Sequence, residues 1–115
     1  EILANIDKYL VAKSSFDPIE PGKEGIVNGT VTLENRLEGI SFQKAYVEVS
    51  IRLADGVEYR TDYYIVQNIG PGESKLVRIP KTTRGNTIVC QVVKVKSEQL
   101  TNGELKLTGS RAIKN

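Results

Sequence analysis

The first candidates for a binding role in this chain are four tyrosines, Tyr46, Tyr59, Tyr63 and Tyr64. Tyr46 and Tyr64 occupy positions that the alternation of apolar and polar residues predicts to face outward. Amphipathic rings on such a surface stack on a sugar or anchor a protein contact. Tyrosine also suits strands in general, so the plainer interpretation is that these rings only cover a sheet surface.

A second set of candidate residues is basic. Lys81 and Arg84 lie in the polar, glycine-bearing segment 80–86, and Lys94 and Lys96 end the apolar run that follows. Gathered together, they would form a cationic surface for the carboxylates or phosphates of a partner. The alternative is a solvated face, because exposed lysine protects the edge strands of sheets from pairing with other chains.

Residues suited to catalysis or metal binding are scarce. The chain has no histidine, which removes the commonest general base near neutral pH. Its one cysteine, Cys90, lies in an apolar run and is expected to be a small buried hydrophobic residue. Among Asp55, Glu58 and Asp62, the last two share a strand face but are too far apart to chelate one calcium ion. The sequence therefore predicts no catalytic residue, no metal ligand and no cofactor.

The size and charge of the chain limit its class. Its 115 residues predict one domain over residues 1–115, with 1–6 a linker or frayed terminus and 109–115 a tail. The net charge is +2 with mixed signs along the chain, which argues against nucleic acid. No apolar run is long enough to cross a bilayer, so no membrane insertion by this segment is expected. Because the chain starts at Glu1 and lacks Met, we expect a signal peptide, an anchor or another domain before it.

The candidate residues depend on strands for their positions, and segment 26–53 gives the clearest pattern. Val31 and Leu33 alternate with polar residues, and Val47 and Val49 alternate with Tyr46 and others. A period of two predicts strands with one dry face and one wet face. Further strands are predicted at 7–14, 57–66, 73–79 and 87–96, with a closing hairpin at 100–107. The alternation slips near residues 92–93, which predicts either a bulge or a strand with two buried faces.

About seven short strands separated by turns indicate an all-β protein. Asp55-Gly56, Pro71-Gly72 and Asn102-Gly103 supply the turns, and no segment shows sustained helical spacing. The fold class predicted is an immunoglobulin-like β-sandwich of about seven antiparallel strands. Uneven connections favour a sandwich over an up-and-down barrel. An antibody-type core is excluded, because the chain has no Trp and one Cys.

The central region resembles the bacterial immunoglobulin-like domains of the FxLyD kind. The similar features are Gly29-Thr30-Val31, Asn35 at the start of the next loop, strand 47–53 followed by Asp55-Gly56, and Pro71-Gly72-Glu73. They lie within residues 26–80, about half of the chain. Such domains occur in cell-envelope and secreted proteins. The resemblance therefore implies an extracytoplasmic bacterial module, in a periplasm, on a surface or secreted, and it brings no catalytic residues.

The sequence thus predicts a non-catalytic, extracytoplasmic interaction or adhesion module rather than an enzyme. It would bind a protein partner, or a neighbouring domain of its parent chain, through a sheet face or loops. Tyr46, Tyr64, Lys81 and Arg84 are the candidate binding residues. Two alternatives stay open: a carbohydrate-binding module that uses exposed tyrosines, and an accessory domain of a larger envelope enzyme. A planar pair of exposed rings would favour sugar, whereas a broader apolar patch would favour protein.

Overall fold

The computed structural model describes residues 2–107, and over that range the chain forms two antiparallel sheets. A 3-10 turn (Leu3–Asn5) and a one-turn helix α1 (Ile6–Tyr9) precede the strands. The strands are β1 (Leu10–Pro18), β2 (Ile26–Asn35), β3 (Phe42–Arg52), β4 (Glu58–Ile69), β5 (Ser74–Ile79), β6 (Thr87–Lys96) and β7 (Glu104–Lys106). These seven strands confirm the predicted all-β sandwich.

The two sheets differ in width. The first has the strand order β1-β2-β5, and the second has the order β4-β3-β6-β7. The chain crosses between sheets at each of the connections β2–β3, β4–β5 and β5–β6. In the second sheet β3 is central, since it pairs with β4 along one side and with β6 along the other. The outward-facing residues of β3 therefore lie in the middle of the wider sheet.

The core lies between the inner faces of the two sheets. Val31 and Leu33 of β2, and Val47 and Val49 of β3, are all at most 2% exposed. This confirms the predicted dry faces of both strands. The buried apolar residues are Ile6, Leu10, Ile26, Val31, Leu33, Phe42, Ala45, Val47, Val49, Ile51, Val66, Ile69, Ile79, Ile88, Val95 and Leu107.

The first strand differs from its prediction. Residues 7–9 are helical, with the Leu10 amide donating to the Ile6 carbonyl, and β1 continues to Pro18. Ile6 is 8% exposed, so the segment predicted as a linker or frayed terminus contributes a core residue. Pro18 is tolerated because β1 pairs only with β2 among the described strands, and an edge strand needs fewer ladder donors. The predicted tail, 109–115, lies outside the described residues.

The predicted faces of β4 are wrong. Tyr64 lies opposite Val47 of β3, and antiparallel partners share a face, so Tyr64 points inward and packs against the core. Its neighbour Tyr63 points outward and is 61% exposed. The reason is that β4 forms the margin of a sheet that is one strand wider than the sheet it packs on. There the inner face accommodates an ion pair, Arg60 Nε to Asp62 Oδ2 at 2.7 Å. In the sequence, these alternating charges look like the solvent-exposed side of a strand.

Strand β6 has its predicted bounds, and of the two alternatives for its slip in alternation the structure shows the bulge. Lys94 pairs with Tyr46 and Val92 with Val47, so Val93 is the extra residue. The closing hairpin forms between other segments than predicted, because β7 pairs with the end of β6 and not with residues 100–101. The bulge and this pairing determine which side chains surround Tyr46.

Candidate binding surface

The candidate surface is the side of the second sheet that points away from the core, and we call it the outer face. On β3 it contains Tyr46, Glu48 and Ser50, which alternate with core residues. Cross-strand pairing extends it in rows. The rows are Gln67, Lys44, Lys96 and Glu104; then Ile65, Tyr46, Lys94 and Lys106; then Tyr63, Glu48 and Gln91; then Thr61, Ser50 and Val89.

One end of the outer face carries a group of cations around a tyrosine and a carboxylate. We call this group the lysine cluster, and it consists of Lys44, Lys94, Lys96, Lys106, Tyr46 and Glu104. The Tyr46 hydroxyl donates to Glu104 Oε2 at 2.6 Å. The Lys44 and Lys94 ammonium groups lie 3.7 and 3.8 Å from the oxygens of Glu104. Lys94 Nζ also lies 4.8 Å from the centre of the Tyr46 ring, within cation–π range.

The lysine cluster has an excess of positive charge. Four lysines against one carboxylate leave 4 − 1 = +3. The Tyr46 hydrogen bond is the main effect that lowers the pKa of Glu104, and Lys94, Lys44 and Lys96 add to it against a smaller desolvation effect. The same hydrogen bond raises the pKa of Tyr46. Near neutral pH the cluster therefore holds an ionised carboxylate under a protonated phenol, and it still attracts anions.

The neighbouring rows combine apolar and polar side chains. Ile65, beside Tyr46, is 54% exposed, and Tyr63 lies diagonally across from Tyr46. Glu48 is held from both sides: the Tyr63 hydroxyl donates to Oε2 and Gln91 Nε2 donates to Oε1, both at 2.8 Å. These hydrogen bonds hold the Tyr63 hydroxyl at Glu48, so exposed apolar surface lies next to the lysine cluster.

The other end of the outer face holds polar atoms that lack hydrogen-bond partners among the described residues. They are Ser50 Oγ, Thr61 Oγ1 and Arg52 Nε. Ser50 and Thr61 are direct cross-strand partners, and Ser50 is 4% exposed although it belongs to the outward phase of β3. Shielded polar atoms without partners cost free energy, and a bound water or partner group would satisfy them.

The structure separates the two tyrosines chosen from the sequence. Tyr46 lies on the outer face at the centre of the lysine cluster. Tyr64 lies on the inner face, where partial burial raises its pKa, so it cannot form a surface with Tyr46. Tyr63, one residue earlier, is the exposed ring near Tyr46. Alternation within this segment could not reveal the exchange, since β4 lies at the margin of the sheet and carries charged residues on its inner face.

The predicted basic group is also divided. Arg84 precedes β6 and Lys94 lies near its end, which places them roughly 20 Å or more apart along an extended strand. Arg84 Nε pairs with Glu24 Oε1 at 2.9 Å, which neutralises it, and exposed Lys81 lies in the same loop. Lys94 and Lys96 instead join Lys44 and Lys106, which only the cross-strand register could reveal.

The acidic residues considered for calcium do not converge. Glu58 pairs with Arg52 on the outer face, whereas Asp62 pairs with Val49 on the inner face, because β4 has a bulge between them. The prediction that Glu58 and Asp62 share a face is therefore wrong. Asp55 Oδ1 accepts the Val57 amide within its turn. Within residues 2–107, no three His, Cys, Asp or Glu side chains are grouped so that they could hold a metal ion.

Cys90 lies on the inner side of β6, opposite Val49, and is half-buried against the core. This burial raises the pKa of its thiol, despite an opposing hydrogen bond with Ser14. The thiolate is the reactive form. We therefore expect a thiol reagent at pH 8 to label the native protein about tenfold more slowly than the urea-unfolded chain. Equal labelling rates would contradict this placement of Cys90.

A shallow recess of about 480 Å³ lies at one end of the sandwich, lined by residues 34–39, Pro71 and Gly72. Its polar centre is Asn35, which is fully buried. The side-chain amide of Asn35 forms hydrogen bonds with backbone groups of the β2–β3 and β4–β5 connections. This side chain therefore has a structural role.

The fold and the outer face together define a β-sandwich with a cationic surface centred on a tyrosine. Comparisons of the chain with known families, curated proteins and solved structures find no match. Over residues 2–107, no helix is long and apolar enough to span a membrane.

Proposed function

We propose that this domain is a non-catalytic binding module that takes an acidic segment of a protein partner on its outer face. The observation that carries the proposal is the lysine cluster, in which four lysines surround Tyr46 with a net charge of +3. Exposed Tyr63 and Ile65 flank it. Aromatic anchors beside charge-complementary groups are characteristic of protein interfaces.

The chemistry of the outer face favours protein over the other ligands considered. A nucleic acid needs many phosphate contacts, and a net +3 cluster beside apolar residues offers few. A sugar platform needs free ring faces, but Lys94 stands over one face of Tyr46 and Tyr64 is on the other side of the sheet. A general acid needs a raised pKa, whereas the pKa of Glu104 is lowered.

The proposed class is an immunoglobulin-like domain of the extracytoplasmic, bacterial FxLyD kind. The sheet orders β1-β2-β5 and β4-β3-β6-β7 support it, since they correspond to immunoglobulin strands ABE and C′CFG. The residues of the resemblance also form one unit. The backbone amide of Asn35 donates to the backbone carbonyl of Glu73 at 2.9 Å, and Glu73 Oε1 accepts the backbone amide of Gly70 at 2.7 Å. The partner on this proposal is a separate protein or a neighbouring domain of the parent chain, including the catalytic domain of an envelope enzyme.

The proposal is tested by titrating ¹⁵N-labelled protein with a capped octaglutamate peptide at low ionic strength. We expect amide shifts confined to β3, β6 and β7 around Tyr46. The Lys94→Glu variant should weaken binding about tenfold, because it reverses one charge at the centre of the cluster. Binding should also weaken with added salt, as expected for exposed charges.

The matched control is Lys13→Glu, which makes the same charge change on the outward side of β1 in the other sheet, opposite Thr32. It should leave the affinity for octaglutamate within about twofold of the unmodified protein. Equal weakening by Lys94→Glu and Lys13→Glu would contradict the proposal. Shifts produced by a panel of oligosaccharides, and not by octaglutamate, would support a carbohydrate-binding module instead.

A further inference from the structure

We infer that Glu104 is a resident carboxylate that occupies the place of the partner's acid, so the lysine cluster is partly self-inhibited and opens when a partner displaces Glu104. This inference rests on the proposed function, because it concerns how the same cluster is regulated. It assigns the anion-binding position to three groups: the Tyr46 hydroxyl and the ammonium groups of Lys44 and Lys94.

The contacts of Glu104 are those of a bound carboxylate ligand. Its Oε2 accepts the Tyr46 hydroxyl at 2.6 Å and lies 3.7 Å from Lys44 Nζ. Its Oε1 lies 3.8 Å from Lys94 Nζ. The short hydrogen bond defines where a carboxylate oxygen sits, whereas the two ammonium contacts are longer than hydrogen bonds. The cluster therefore already displays the geometry in which it receives a carboxylate, with donors left over.

The element that carries Glu104 is the shortest strand of the outer face. β7 has three residues, all exposed, and pairs with β6 alone among the described strands. By contrast, the groups that would receive the partner stand on β3 and β6, which have 11 and 10 residues. Short exposed edge elements open at low free-energy cost. Tyr46, Lys44 and Lys94 thus stand on long, paired strands, and only the exposed side chain of Glu104 has to swing away while β7 and Lys106 stay in place.

The exposure of the three groups allows an exchange of carboxylates. The side chains of Lys44, Lys94 and Glu104 are 37%, 38% and 35% exposed. Exposed ion pairs contribute little stability individually, so replacing one carboxylate by another changes little besides the partner. A partner with several acids gains because it reaches Lys96 and Lys106 as well, neither of which has an ion-pair contact within 4 Å among the described residues.

The test compares Glu104→Gln with Glu98→Gln. Glu98 is exposed in the β6–β7 connection next to the cluster, so its replacement removes the same charge without emptying the anion position. The dissociation constant for capped octaglutamate is measured by calorimetry. We expect Glu104→Gln to tighten binding about tenfold and Glu98→Gln to change it less than about twofold. Circular dichroism and thermal unfolding establish that both variants keep the fold.

A second readout follows the Glu104 carboxyl carbon by NMR during a pH titration. In the free protein its pKa lies below the ordinary value, and it should return toward that value when octaglutamate takes the Tyr46 hydroxyl. Equal tightening by Glu104→Gln and Glu98→Gln would overturn the inference and leave the proposed function standing, provided that Lys94→Glu still weakens binding. Absence of octaglutamate binding to all of these proteins would overturn both.

Discussion

Replacing Asn35 with alanine is expected to lower the free energy of unfolding by about 3 kcal/mol. Asn35 is fully buried at the end of β2, and its amide nitrogen donates to the carbonyls of Ile40 at 2.8 Å and Gly70 at 3.0 Å. The carbonyl oxygen of its side chain accepts the Leu37 amide at 3.0 Å. Alanine would leave these partly buried backbone groups without their side-chain partners, and each buried group without a partner costs about 1–3 kcal/mol.

The loss should appear as a lower midpoint in urea unfolding with an unchanged slope. Asn86→Ala is the matched control, since Asn86 is exposed, and it should change stability by less than about 0.5 kcal/mol. The Asn35→Asp variant removes the side-chain donor to Ile40 and Gly70 but keeps the oxygen that accepts the Leu37 amide. Its buried carboxyl would face carbonyls, so burial would raise its pKa, and this variant should be more stable at acidic than at neutral pH. A loss below about 1 kcal/mol for Asn35→Ala would contradict the role given to this side chain.

Replacing Gly85 with alanine is expected to cost about 3 kcal/mol or to prevent folding. Gly85 has φ +117°, a conformation that L side chains rarely adopt. A β-carbon there would lie 2.5 Å from Ile51 Cγ2 and 3.1 Å from Ile26 Cδ1. Both isoleucines are buried in the core, so neither can move away without disturbing other packing.

Gly56→Ala isolates the backbone part of this effect. Gly56 has φ +87° in its turn, but a β-carbon there would meet no atom within 4 Å. We expect it to cost about 1 kcal/mol, from backbone strain alone. Thermal unfolding of both variants measures the difference. Equal losses would show that the core does not approach Gly85 as closely as the structure has it.

Local patterns in the sequence were sufficient for the central fold. The inward phase of β3 follows from strict alternation around Val47, and the slip near residue 93 marks the position of the bulge in β6 without distinguishing it from a strand with two buried faces. The lysine cluster depends on non-local pairing. Lys106 reaches the cluster only because β7 pairs with β6, and Lys94 and Lys96 reach it only because the register of β6 places them opposite Tyr46 and Lys44. No period within one segment contains that information.

The exchange of Tyr64 for Tyr63 has a different cause. Alternation within residues 57–66 predicts that the charged side of β4, which includes Arg60 and Asp62, faces solvent. At the margin of the wider sheet that phase points inward without being covered, so charge no longer marks the outer face. A shift of one residue decides which tyrosine lies near Tyr46, and the pairing register between β3 and β4 determines it.

The inward ion pair of β4 also affects how the domain behaves among copies of itself. β4 has 12 residues, is bonded on one side only among the described strands, and displays Tyr63 and Ile65. Such a margin is a template on which another chain can add a strand and start a fibril. An added strand would have to cover Arg60 and Asp62 and strip their water. Arg60 and Asp62, whose charges led to the wrong face prediction for β4, therefore oppose self-association through this edge.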